Sequence, residues 1–70
     1  MYRVYDVKIH RVDRDKADEI LSKHWYNGDI DTMTTDRREK NTVTYWINPY
    51  IYEDLETIKN EFKLAGIQIL

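Results

Sequence analysis

Two short alternating stretches constrain this chain more than any other feature. In residues 2–12, Tyr5, Val7 and Ile9 alternate with Asp6, Lys8 and His10, and in 42–47, Val43, Tyr45 and Ile47 alternate with Thr42, Thr44 and Trp46. A period of two puts each set on its own face of a pleated strand, so both stretches predict strands with one face turned to a core. Elsewhere the period is helical. Ala17, Ile20, Leu21 and His24 fall at helical spacing, and Ile51, Leu55, Ile58, Phe62 and Ala65 step by 4, 3, 4 and 3, an apolar stripe down one helix face.

Punctuation sets the boundaries. Asp13 or Asp15 can cap the first helix, with Asp18 and Glu19 near its N-terminal end, and Asn27-Gly28 closes it. Residues 29–35 favour a strand but hold Ile30 and Met33 in opposite phases, which predicts a weak strand at a sheet edge. Asp36 to Asn41 reads as a hairpin loop. Asn48-Pro49 reads as the start of the second helix, which carries acid early (Glu53, Asp54, Glu56) and base late (Lys59, Lys63) as the helix dipole prefers. Gly66 stops it, and Ile67–Leu70 reads as a short closing strand.

The order strand, helix, strand, strand, helix, strand predicts one α+β domain over residues 1–70 with a ferredoxin-like βαββαβ arrangement. Right-handed crossovers then give a four-stranded antiparallel sheet in the order 4-1-3-2, with both helices on one face. Tyr5, Val7, Ile9, Val43, Tyr45 and Ile47 point to the helices; Tyr2, Val4, Lys8, His10, Thr44 and Trp46 point away. Strand directions place Tyr2, Trp46 and Leu70 together at one end of the open face.

Such an apolar cluster marks a contact site, and the hairpin residues Arg37, Arg38 and Lys40 would extend it at an exposed tip. The plainer alternatives are that a second copy covers the face, that Trp46 folds over to complete the core, and that the basic loop is simply solvated.

Composition narrows the function classes. Seventy residues without cysteine rule out a disulfide framework and a thiolate metal site, leaving packing, a partner or self-association as sources of stability. So small a core leaves little room for an enclosed active site, which makes a non-enzymatic role the expectation. A net charge of −2 is too balanced to advertise a nucleic-acid binder, although residues 1–12 and 36–49 are basic relative to the rest. No signal pattern and no apolar run of membrane-spanning length is visible, so a cytoplasmic location is expected.

Motifs for chemistry are scarce. His10 and His24, with Asp13, Asp15 or Asp18 nearby in sequence, could supply nitrogen and oxygen ligands to zinc, but their spacing matches no standard finger. The bland reading makes His24 a core residue and His10 a solvated strand residue. Asp13-x-Asp15 and Asp29-x-Asp31 lack the Gly and Glu of a calcium loop and read as cap and turn acids. Gly28 and Gly66 each follow a helix rather than forming a phosphate loop. Ser22, the only serine, lies about 200° round its helix from His24, so no catalytic triad is supported. No cofactor is expected, with zinc left open.

In size, absence of cysteine and Tyr/Asp/Lys/Asn-rich wording, as in Met1-Tyr-Arg-Val-Tyr-Asp-Val-Lys-Ile-His10, the chain resembles small proteins encoded by bacteriophages and prophages of low-GC bacteria. Many of those are inhibitors of host functions, anti-CRISPR proteins among them. The resemblance implies an inhibitor that docks on a larger host protein inside a bacterial cell. Two alternatives stand beside it. An RRM has the same element order and stacks bases on aromatics of its central strands, a role for Tyr2 and Trp46 with Lys8, Arg37 and Arg38. However, Thr42–Ile47 lacks the basic-Gly-aromatic pattern of that family. A homodimer joined face to face, or edge to edge through residues 29–35, is the second alternative.

Overall fold

Strand β1 (Tyr5–His10) runs through a short 3-10 turn (Arg11–Asp13) into helix α1 (Arg14–Tyr26). Strands β2 (Ile30–Thr35) and β3 (Thr42–Pro49) and helix α2 (Tyr52–Leu64) complete the element order. This computed structural model describes residues 4–35 and 41–70. The candidate residues Tyr2, Arg37, Arg38 and Lys40, with most of the hairpin loop, lie outside them.

The two alternating stretches form neighbouring antiparallel strands, with Val7 opposite Tyr45 and Ile9 opposite Val43. Strand β2 pairs with the far side of β3, so the sheet order is β1-β3-β2 and β2 is an edge. On the helix side, Val7, Ile9, Val43, Tyr45 and Ile47 form one buried cluster with Ala17 and Leu21 of α1, Leu55, Ile58 and Phe62 of α2, and Ile30. The helical stripes therefore face the sheet as their spacing predicts, except that Ile51, at the head of the second stripe, lies before α2 and is exposed.

The four-stranded sheet in the order 4-1-3-2 is not what forms; the sheet has three strands. The C-terminal residues contribute only an isolated bridge between Ile69 and Ile9 and a hydrogen bond from the Leu70 amide to the Lys8 carbonyl. The cause is local. Gly66, at φ 80°, reverses the chain after α2, and the Ile67 amide returns to the Phe62 carbonyl at 2.9 Å. This is the closing bond of a Schellman turn, which buries Ile67 beside Phe62 and leaves too few residues for a strand.

Helix α2 also starts later than the Asn48-Pro49 signal predicts. Pro49 ends β3, and Ile51 precedes the helix without a side-chain cap bond. Along β3 the backbone groups of odd-numbered residues turn toward β1, as the Arg11–Asn41 hydrogen bond shows by extending that phase. Pro49 is odd-numbered and lies beyond Tyr5–Ile47, the last described pair with β1, so its missing N–H removes no described ladder bond. The first helix likewise starts without a side-chain cap bond from Asp13.

Candidate functional site

The open face is built by strand alternation. With the odd residues of β1 and β3 in the core, the even ones point away, so Asp6 stands directly opposite Trp46 and Lys8 opposite Thr44. On β2 the parity reverses because Trp46 pairs with Met33, which brings Asp31 and Met33 to the open face while Ile30, Thr32 and Thr34 face the helices. Val4, Met33 and Trp46 are 58%, 60% and 36% exposed. With Asp31, Thr32 and Asn48 they line a shallow hollow of about 190 Å³.

Of the residues expected on this face, Val4 and Trp46 share the hollow. Leu70 does not join them. Its backbone is level with Lys8, on the far side of β1 and two residues along from the Asp6–Trp46 row. Met33 and Asp31 complete the patch instead, and the alternation opposite Ile30 was the signal for both.

A second concavity, of about 420 Å³, lies on the helix side between α1 and the β2 edge. Asp18, Leu21, Ser22 and Trp25 of α1, spaced i, i+3, i+4 and i+7 on one helix face, form one wall; Thr32, Thr34 and Tyr45 form the other. The Tyr45 hydroxyl donates to Asp18 Oδ1 at 2.5 Å. Burial first, then this bond and the Asp18 charge, push the phenol pKa well up, so the group stays protonated. Thr32 Oγ1 is buried and meets no hydrogen-bond partner among the described residues.

His24 is the one buried polar or charged residue among those described, at 8% exposure. The end of α1 places its first partner. Gly28 at φ 79° turns the chain so that the Asp29 amide bonds the His24 carbonyl at 3.0 Å, the same Schellman closure as at Ile67 and Phe62. The pair brought together is here ionic, with His24 Nδ1 at 3.2 Å from Asp29 Oδ2. The other nitrogen, Nε2, lies 2.9 Å from Glu61 Oε2 on α2.

Burial disfavours charge on this ring, but the hydrogen bonds to Glu61 and Asp29, with their negative charges, more than offset it and raise the pKa above its ordinary value. The ring ties α1, the following turn and α2 together. The carboxylates sit on opposite sides of the ring, so the three groups do not converge on one ion. No group of three or more His, Cys, Asp or Glu suited to a metal occurs among the described residues. His10 lies on the open face, half-buried and away from His24.

No helix among the described residues is long and apolar enough to cross a membrane. No protein-family model, curated protein or solved structure matches this chain.

Proposed function

We propose that this chain is a non-catalytic protein-binding module that docks on a larger protein through the open face of its sheet. The observation that carries the reading is the Val4–Met33–Trp46 patch, apolar and exposed on a face that no described helix covers. Trp is among the residues that most often anchor interfaces, and a shallow hollow beside the ring suits an apolar side chain of a partner. Asp6 and Asp31 border the patch and favour a partner surface with basic residues at its rim.

The same two carboxylates weigh against single-stranded nucleic acid. Asp6 is the direct cross-strand neighbour of Trp46, so a base stacked on the indole would bring its phosphates toward fixed negative charge. Catalysis also lacks support from the chemistry in place. Both His24 nitrogens are engaged by carboxylates, and the Tyr45 phenol is held protonated. Inhibition by occupying a host protein's surface is the form of this function that the sequence resemblance favours.

The test is capture from a nuclease-treated lysate of the encoding organism, or of its host, with the tagged chain as bait. A stoichiometric protein retained by the parent and by His24→Ala, and lost with Trp46→Ala, is the expected result. Recovery of nucleic acid alone before nuclease treatment, or equal retention by Trp46→Ala, would overturn it.

A further inference from the structure

The two long edges of the sheet are finished differently. The outer edge of β1 is covered at Lys8 and Ile9 by the C-terminal residues Ile69 and Leu70. The outer edge of β2 pairs with no described strand. Natural edges are usually protected by Lys, Pro, a bulge or an inward charge. Ile30-Asp-Thr-Met-Thr-Thr35 has no Lys and no Pro, pairs with β3 without a bulge, and turns its one charge, Asp31, to the open face.

The backbone phase of this edge follows from the ladder. The Tyr50 amide donates to the Asp29 carbonyl at 3.1 Å, so odd-numbered residues of β2 spend their backbone groups on β3. Ile30, Thr32 and Thr34 therefore point their N–H and C=O groups outward. We propose that this edge pairs with β2 of a second copy, antiparallel about a two-fold axis at Thr32, joining two three-stranded sheets into one.

That register is self-complementary. Ile30 meets Thr34 of the second copy, Thr32 meets Thr32, and each pair exchanges two hydrogen bonds, so every outward group finds a partner. A parallel pairing would set Asp31 against Asp31; the two-fold sets it against Met33. The side chains support the same axis. Thr32 Oγ1, buried without a partner in the single chain, faces the helix side. Directly opposed threonines hydrogen-bond across a seam, so the second copy supplies the missing partner from the same residue. The concavity between Trp25 and Thr32 leaves room above the seam for that contact. The pairing brings Asp31 and Met33, at the border of the proposed docking face, to the seam but leaves the Trp46 side chain out of it, so it would present two such faces side by side.

Amide exchange of the unmodified chain, followed by NMR from about 10 μM to about 1 mM beside sedimentation, tests the proposal. The expected result is a concentration-dependent dimer in which the Ile30, Thr32 and Thr34 amides slow at least tenfold, while Asp31 and Met33 are slow at both ends of the range. Thr34→Pro removes an outward N–H without touching the β3 ladder, and Thr32→Lys places two like charges at the axis; both should be monomeric and Trp46→Ala should not. A monomer throughout, or a dimer that survives both edge variants, would overturn the proposal, as would one lost only with Trp46→Ala. Partner capture with no dimer fails this inference alone, and a dimer with no capture fails the docking reading alone.

Discussion

Across the thickness of one strand, β3 passes between two chemical environments. Its odd-numbered residues Val43, Tyr45 and Ile47 are sealed against two helices, and the even-numbered Trp46 between them is partly exposed beside Asp6 and Met33. Both sets are built for a strand, yet among the described residues only one is packed against helices. A chain of this size spends most of its apolar residues on the face that folds it, and a large ring on the other face is the feature on which the proposed docking rests. Burial, rather than hydrophobicity, separates the residues that hold the fold from those on the open face.

The largest expected effect belongs to the sealed face. Phe62→Ala or Leu55→Ala, each removing a fully buried side chain, should cost about 2–5 kcal/mol by urea unfolding, enough to unfold so small a domain. Trp46→Ala should move the same midpoint by less than about 1 kcal/mol. A Trp46 variant as unstable as the Phe62 variant would make both faces part of the core and break the contrast.

His24→Ala comes next, removing hydrogen bonds to two carboxylates at a cost of about 1–3 kcal/mol. Its pH dependence has a definite sign. Because the folded pKa is raised above the unfolded value of 6.5, the stabilisation is fully present below about pH 6.5 and is lost as pH rises through the folded pKa. Urea midpoints taken from pH 5.5 to 8.5, an interval chosen around that reference value, should therefore fall for the parent, and the fall attributable to this residue should be absent in His24→Ala. A parent that gains stability over this range would contradict the clamp.

The smallest effect sharpens the comparison at the β2 edge. Thr32→Val removes a buried hydroxyl that has no partner in the single chain, so dilute protein should be unchanged or more stable by up to about 1 kcal/mol. At high concentration the same change should weaken self-association.

Most of the helix-side layer was legible because it is periodic: the alternation of β1 and β3 and the stripe through Leu55, Ile58 and Phe62 each predict a buried face correctly. The errors fall where a local signal has two meanings. Asn48-Pro49 suits a helix start, but Pro49 also fits a strand end where its missing N–H removes no described ladder bond. Ile67–Leu70 has strand composition, but the turn at Gly66 takes Ile67 into the core first. The clamp on His24 was only half visible, since Asp29 follows the helix end whereas Glu61 lies 37 residues away and is brought in by packing. The concavity beside β2 could have been found from the Asp18, Leu21, Ser22 and Trp25 spacing together with the inward phase of Thr32 and Thr34.

The most direct measurement on the central claim is the fluorescence of Trp46, isolated by Trp25→Phe, with and without the captured protein. The account predicts an indole open to acrylamide in the free chain that shifts to the blue and loses most of its quenching in the complex. A complex that forms while Trp46 emission and quenching stay unchanged would place the docking surface elsewhere and contradict the account.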